Sequence, residues 1–479
     1  MDPTSFLFVT CALAGAAQAV PAPPTLPPAS AAPTVPSTTP TTTPSASASA
    51  PAASSAPVPP SPPTNRVLTL AQATDTALTS QPLLRQAQAQ SSAADARADQ
   101  ARSPLLPQVN ASATYQRATA NFSARPGALP SQLSTSAQGA SFATYDYWSF
   151  GVSANQTIYD FGQARGRWHA AEATAEGQHE TARATRLATV LNVRTAYFQA
   201  RAQKSLVSVS RETLTNQERH LEQIKGFVEL GARPAIDLAQ ARTDVANAKV
   251  QVIGSENAYA TAKAQLNQAM GAPQRTDYDV ADETLAALTE EDQPLDALVQ
   301  VAFAARPELV ALSKQVQAQE LQLRAVKGAY GPTLGASTGL TDNGRQLDNL
   351  AWNWNVQVSL NWSVFQGMLV PAQVREAEAN LVGIKAQRDG TENQLRLEVE
   401  QARLAVRSNK ASIAAVEEAL VNARERLRLA EGRYQIGAGS IIELADAQIA
   451  AANAAAQRVA GDYNLAAARA QLMKALGRE

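Results

Sequence analysis

The chain has 479 residues, with 41 Lys plus Arg against 42 Asp plus Glu and a net charge of −1. That length exceeds one ordinary globular core. The near-neutral balance lacks the basic patch or stripe that polyanion binders carry, so no nucleic-acid partner is expected. Recurrent Ala, Gln, Arg and Glu, with few aromatics, favour long helices.

The apolar run Phe6 to Ala19 is too short to span a bilayer and ends in Ala17-Gln18-Ala19, a small-x-small pattern. It reads as a signal peptide over residues 1–19, although its first residues carry no Lys or Arg. Cleavage there removes Cys11, the one cysteine, and with it disulfide and thiolate chemistry. A lipid anchor on Cys11 is the alternative, and Phe8-Val9-Thr10 fits a lipoprotein box poorly. Residues 20–65 are almost wholly Pro, Ala, Ser and Thr and read as a disordered tether.

The remainder is a tandem duplication. Gly231 to Gly271 matches Gly437 to Gly477 at a constant shift of 206 without a gap, and the same shift pairs Val152 with Val358 and Asn155 with Asn361. Upstream, Leu70, Pro82 and Pro107 match Leu295, Pro307 and Pro332 at a shift of 225. The difference of 19 is a loop insertion between Pro107 and Val152, around Asn121 to Ser131. The first repeat covers 66–271, a linker 272–294, and the second repeat 295–479.

Each repeat reads as short helix, helix, strand, loop, strand, very long helix, turn, helix. In the first, prolines place helices over about 70–79 and from Pro82 to Ser103, with strands over about 108–117 and 147–159. A proline-free helical pattern follows over about 163–230, then Gly231-Ala-Arg-Pro234 and a helix over about 235–270. The second gives helices over about 295–304 and 307–328, strands over about 333–341 and 352–365, and helices over about 371–435 and 440–476. A helix of some 66 residues is about 100 Å long, and the shorter helices together are long enough to lie beside it as a second rod. Such helices need neighbours, because helical stability comes mostly from packing.

From Trp352 the even positions read Trp, Trp, Val, Val, Leu, Trp, Val and the odd ones Asn, Asn, Gln, Ser, Asn, Ser. The strand with Trp148, Phe150, Val152 and Ala154 alternates likewise. Apolar against uncharged polar suits a strand between lipid and water, and Trp148, Trp352, Trp354 and Trp362 stand where an aromatic girdle would. No later segment has the apolar length of a membrane helix, so a membrane crossing must be a β-barrel. Four strands cannot close one, since about eight are needed, so the chain must oligomerise.

The duplicated Leu-x-x-Ala…Pro…Pro unit, the junction Gln156 to Gly162 and the tip Tyr434 to Asp446 resemble the TolC-like outer-membrane factor family across 66–479. The resemblance implies a mainly α chain whose four strands join a 12-stranded trimeric membrane β-barrel, continued by a 12-helix periplasmic α-barrel tunnel. A belt would lie at about 66–81 and 272–306, with an extended stretch from Thr276 to Ala281. The implied function is a passive exit channel in the outer membrane, serving a tripartite efflux or type I secretion system. Its implied partners are two more copies, a periplasmic adaptor, an inner-membrane pump and outer-membrane lipid. The alternative is a soluble periplasmic helical scaffold.

By the same resemblance, Tyr434 and its acidic partner Asp237 hold the periplasmic entrance shut, Glu443 and Asp446 ring it, and Leu230, Gly231, Ile436 and Gly437 mark adaptor-docking tips. Gly439 departs from the basic residue expected to link the helix pairs. Tyr434→Phe is expected to raise conductance, and neutralising Glu443 with Asp446 to lower cation selectivity. Ser440-Ile-Ile-Glu443 also reads as a capping box, with acids placed to complement a helix dipole. His169, His179 and His220 are spaced as solvated or tunnel-wall residues, with no metal, cofactor or catalytic constellation. The sequons at Asn110, Asn121, Asn155 and Asn361 read as chance.

Overall fold

The computed structural model describes residues 66–119, 142–272 and 278–479. The signal peptide, the tether, the loop insertion and Thr276 lie outside them. The chain separates into Met1–Pro60 and Ser61–Glu479, and everything below concerns the second unit.

The first repeat opens with β1 (Arg66–Leu68) and α1 (Leu70–Ser80). Thr69 caps α1 with a full capping box closed by Gln72. Helix α2 (Pro82–Arg102) starts on a proline, where a missing N–H costs nothing, and a 3-10 turn at Ser103–Leu105 leads to the sheet. Strands β2 (Gln108–Thr119) and β3 (Thr144–Tyr159) follow, then α3 (Gln163–Glu229) and α4 (Ala235–Met270). The linker holds β4 (Tyr278–Val280), and the second repeat runs from α5 (Leu295–Ala305) through α6 (Pro307–Lys327), β5 (Thr333–Gln346), β6 (Asn349–Asn361) and α7 (Leu369–Gln435) to α8 (Ile441–Ala475). Helices α3 and α7 are each 67 residues, about 100 Å long. Helices α2 and α4 both pack along α3, as α6 and α8 do along α7, so each repeat is a pair of rods.

Several strand bounds differ from the sequence reading. Strand β3 begins at Thr144 and β2 ends at Thr119 because Arg117 lies opposite Asp146, 3.7 Å apart. Charges that read as loop are here a cross-strand pair. Strand β5 continues to Gln346 through Thr341-Asp-Asn-Gly, turn chemistry that the pairing with β6 overrides. Strand β6 stops at Asn361, opposite Thr333, because β5 starts there after Pro332; the alternation continues to Val364 in sequence but has no ladder to join. Helix α7 starts at Leu369 rather than at Pro371, since a proline is tolerated throughout a first helical turn.

The four long strands form one antiparallel sheet in the order β2-β3-β5-β6. Its register aligns Ala111, Val152 and Leu340 across three strands, and Leu340 with Trp354 on the fourth. The apolar positions therefore share one face. Val152, Leu340, Trp352, Trp354, Val356, Val358 and Leu360 are each at least half exposed there.

A belt midway along the rods ties the repeats together. Strand β1 pairs parallel with β4, and the buried Tyr197 hydroxyl donates to the carbonyls of Leu68 (3.3 Å) and Ala281 (3.1 Å) on their ends. The linker is pinned to the second repeat by charge. Glu291 is 1% exposed, yet its carboxylate meets Arg469 at 2.7 Å and Lys410 at 2.8 Å and accepts from the Leu288 N–H at 2.9 Å. Burial pushes the Glu291 carboxyl up, but Lys410, the Leu288 N–H and Arg469 outweigh it and hold it below the ordinary value of 4.5. A depressed carboxyl contributes stability that is present above its unfolded pKa and lost as pH falls through the folded one. Glu291→Gln is therefore expected to cost about 1.5–3 kcal/mol at neutral pH. Its melting temperature should also drop less than that of the unsubstituted protein between pH 7 and pH 4, as a thermal melt at both pH values would read.

Candidate functional site: the helical tip and the apolar sheet face

The distal ends of the rods meet in two near-identical turns. Gly231 (φ 71°) and Gly437 (φ 76°) take the left-handed conformation that ends a helix without a Cβ clash. Ala232 N donates to Phe227 O at 2.8 Å, and Ala438 N to Arg433 O at 2.9 Å, closing each turn the same way. The turns present Leu230 (83% exposed) and Ile436 (80%). Ile236 and Ile442, across each turn in the first turn of the following helix, are also exposed, and the sequence reading missed them. They are equivalent at the 206 shift, which was the available signal.

Behind these turns, Ile224, Ala241, Ala430, Tyr434, Leu444 and Ala447 form a buried cluster joining both repeats. Tyr434 is 2% exposed, and its hydroxyl has no hydrogen-bond partner. The expected pairing with Asp237 is thus not made. Asp237 lies partly exposed in the first turn of α4. Burial raises the Tyr434 pKa; Arg233 opposes the shift and Asp237 adds to it. What holds the ring is a sandwich. The Arg233 guanidinium stands over its face at 4.6 Å, and His220 meets it edge-on at 5.1 Å. Arg233 also donates to the Tyr434 carbonyl at 3.3 Å. Both partners come from the first repeat, so the sandwich crosses between repeats.

His220 is buried, which corrects its assignment as solvated or wall-lining. Burial lowers its pKa, against a hydrogen bond with Gln223 and the charge of Asp244 on α4. A cavity of about 110 Å³ adjoins it, lined by Asn216, Gln223, Tyr434, Leu444 and Gln448. Nearby, Gln217 on α3 donates to Gln448 on α8 at 3.0 Å.

Glu443 forms only half of the capping box. Its N–H donates to Ser440 Oγ at 3.1 Å, but its carboxylate turns to Arg433 at 2.9 Å. A Cβ at position 439 would stand 3.1 Å from Tyr434 N and 3.2 Å from Arg433 Cβ. Gly439 thus leaves the room in which Arg433 folds back, and the positive charge at this turn comes from position 433. Asp446 is exposed, away from the cluster. The structure brings Tyr434 together with His220 and Arg233, and Glu443 with Arg433; it leaves Asp446 apart.

At the opposite end of the rods, Trp352 (74% exposed), Trp354 (66%) and Trp362 (58%) stand on the apolar sheet face and its margin. Trp148 is half-covered by Tyr115, their rings 4.5 Å apart. The ten residue steps from Trp352 to Trp362, just past the end of β6, span about 33 Å in extended chain. Trp362 Nε1 donates to Tyr330 O at 3.1 Å where the sheet gives way to the helices. No helix among the described residues is long and apolar enough to cross a membrane.

Two variants separate packing from polarity at the tip. Tyr434→Phe removes an unpartnered buried hydroxyl and is expected to leave stability and conductance unchanged. Tyr434→Ala should cost about 3–5 kcal/mol, comparable to other buried aromatic truncations, and increase conductance. Thermal melts with single-channel recordings would read both. A depressed histidine favours the neutral imidazole in the fold, so its penalty grows as pH falls through the ordinary value of 6.5. The melting temperature should therefore fall on mild acidification, and His220→Gln should flatten that fall in thermal melts on either side of pH 6.5.

A family model described as outer membrane efflux protein matches residues 73–272 and 298–478. Outer membrane protein TolC of Escherichia coli (strain K12) is 26% identical over 427 residues, covering 85% of this chain and 82% of that protein. The toluene efflux pump outer membrane protein TtgF of Pseudomonas putida is 27% identical over 248 residues, 51% of this chain and 50% of its own length. Among solved structures, the Campylobacter jejuni CmeC outer membrane channel superposes with a TM-score of 0.73 at 19% identity, covering 85% of each chain. VceC of Vibrio cholerae gives 0.72 at 19% identity, covering 85% of this chain and 96% of its own.

Proposed function

The chain belongs to the outer membrane efflux protein family, and from that premise we propose that three copies enclose one passive exit duct, with a 12-stranded barrel in the outer membrane and a 12-helix tunnel in the periplasm. The observation that carries this reading is the four-stranded sheet, with its exposed apolar face and its two unpaired edges, β2 and β6. At a barrel tilt of 35–45°, the strand length between the tryptophans gives an apolar band about 25 Å tall, the height of an outer-membrane barrel. The same face would leave a soluble scaffold with a large apolar patch in water.

Chemistry is not the protein's task in this reading. Energy comes from an inner-membrane pump, and a periplasmic adaptor bridges that pump to the helical tip. The exposed Leu230, Ile236, Ile436 and Ile442 supply the docking knobs. The entrance is the region below the Tyr434 cluster. Opening separates the α7/α8 pair from the α3/α4 pair, and an adaptor that binds the separated state better shifts the population towards it. Because Arg433, His220 and Arg233 come from this chain, the latch is aromatic and cationic here, without a basic side chain at 439.

The purified protein in detergent is expected to migrate as a trimer that resists SDS until heated and to conduct ions in planar bilayers. A water-soluble monomer without conductance would sink the reading. Charge at the entrance gives a finer check. Glu443 is neutralised by Arg433, whereas Asp446 is exposed. Asp446→Asn should therefore reduce cation selectivity, measured as a reversal-potential shift in a salt gradient, more than Glu443→Gln does.

A further inference from the structure

Charge is unevenly spread along the rods. The seven residues nearest the sheet on each of α2, α3, α6 and α7 include seven Arg or Lys and one acid, Asp99. The seven residues nearest the tip on each of α3, α4, α7 and α8 include five acids and two bases, Lys225 and Arg433. The whole chain has 41 Lys plus Arg against 42 Asp plus Glu, so this polarity is a matter of placement and not of composition.

Helix dipoles account for only part of the excess beside the sheet. Arg102, Arg324 and Lys327 lie in last turns, where positive charge is favourable. Arg165, Arg167 and Arg375 lie near the starts of α3 and α7, where it is unfavourable, and neither helix has an acid in its first turn. The helices that start at the tip do have one, in Asp237 and Glu443. Among the described residues, none of these three arginines makes an ion pair.

The packing of α3 decides which of them look outwards. Ala171 and Ala175 face α2, against Ala94 and Ala98. Gly166 and Gly177 face α6, where added Cβ atoms would stand 2.9 Å from Ala325 Cβ and 3.2 Å from Ala311 O. At about 100° per residue, these two directions are about 150° apart on one side of the helix and about 210° on the other. Rods in a closed ring meet their neighbours at less than a straight angle on the lumen side. The narrower side is therefore the lumen, and Arg167 lies there. Arg165 lies at the centre of the wider, outward side, with Trp168 and His169 flanking it. Arg375 is the copy of His169 at the 206 shift and takes the same face of α7. Trp168 is the one tryptophan away from the sheet and its margin. The Arg102 guanidinium stands over its ring at 5.4 Å, and His169 stacks on it at 4.5 Å.

We propose that Arg102, Arg165, Trp168 and Arg375 form a collar that binds the phosphates of anionic phospholipids, of the phosphatidylglycerol class, in the leaflet nearest the rods. This rests on the channel reading above and deepens it by naming the lipid. Arg165 stands about 3 Å and Trp168 about 8 Å along α3 from its start. Helix side chains lean towards the N-terminus, which here is the sheet end. Both side chains thus fall within the headgroup layer, about 5–8 Å deep beside the hydrocarbon. A guanidinium fork matches phosphate oxygens, and an indole suits the boundary between lipid and water. The lipid's negative charge also supplies what the acid-free starts of α3 and α7 lack.

The test is to titrate the detergent-solubilised full chain with short-chain phosphatidylglycerol or phosphatidylcholine and read thermal shifts. Phosphatidylglycerol is expected to bind about tenfold or more tightly than phosphatidylcholine, since each base near an anionic headgroup favours it several-fold. Arg165→Gln with Arg375→Gln should remove that preference. Without lipid this pair should melt no lower than the unsubstituted protein, because both charges sit at unfavourable helix ends; a merely structural role would lower it. Arg242→Gln with Arg426→Gln, an equal loss of exposed charge elsewhere on the rods, should keep the preference. A preference that survives the first pair, or is lost equally with the second, would overturn the collar. Equal stabilisation by inorganic phosphate would overturn the lipid assignment. A conducting trimer with no preference for phosphatidylglycerol defeats this inference alone, whereas a water-soluble monomer defeats the channel reading beneath it.

Discussion

Backbone hydrogen bonding constrains everything else here. Strands β2 and β6 each have one paired side and one row of open N–H and C=O groups, on a sheet whose outer face is apolar. In water that face is an aggregation hazard, and in hydrocarbon each unsatisfied group costs several kcal/mol. In the proposed duct, closure with further strands satisfies both requirements together. The rods that continue from those strands would then stand in a ring, where exposed apolar residues such as Val382, Val421 and Leu429 face neighbours in place of solvent.

The duplication explains how a modest sequence vocabulary specifies so large an object. One interface between the repeats, β3 on β5 and α3 on α6, is formed inside the chain. The belt supplies what the repeats alone lack. Tyr197 gathers the ends of β1 and β4, and Glu291 collects Arg469 and Lys410, so the rods are fixed to each other at mid-height. The tip, by contrast, is held by a smaller buried cluster around Tyr434, by one inter-helix glutamine pair and by the exposed Arg433–Glu443 pair. Local opening is drawn from the less firmly tied end of a structure, and here that end is the tip.

What was legible in the sequence was whatever local chemistry decides. Proline at helix starts, glycine at helix ends and period-2 alternation located the rods and the apolar face. Strand ends were less legible because pairing decides them. Arg117 and Asp146 look like loop until they are opposite each other, and Thr341-Asp-Asn-Gly looks like a turn until β6 pairs with it. The tip was half legible. Motif position singled out Tyr434, but its partners His220 and Arg233 lie more than 200 residues away in sequence, on another helix and another turn. Nothing local marks a histidine as buried. Arg233, between the first tip's Gly231 and Pro234, offered a faint signal: a charge retained in a turn otherwise made of small residues.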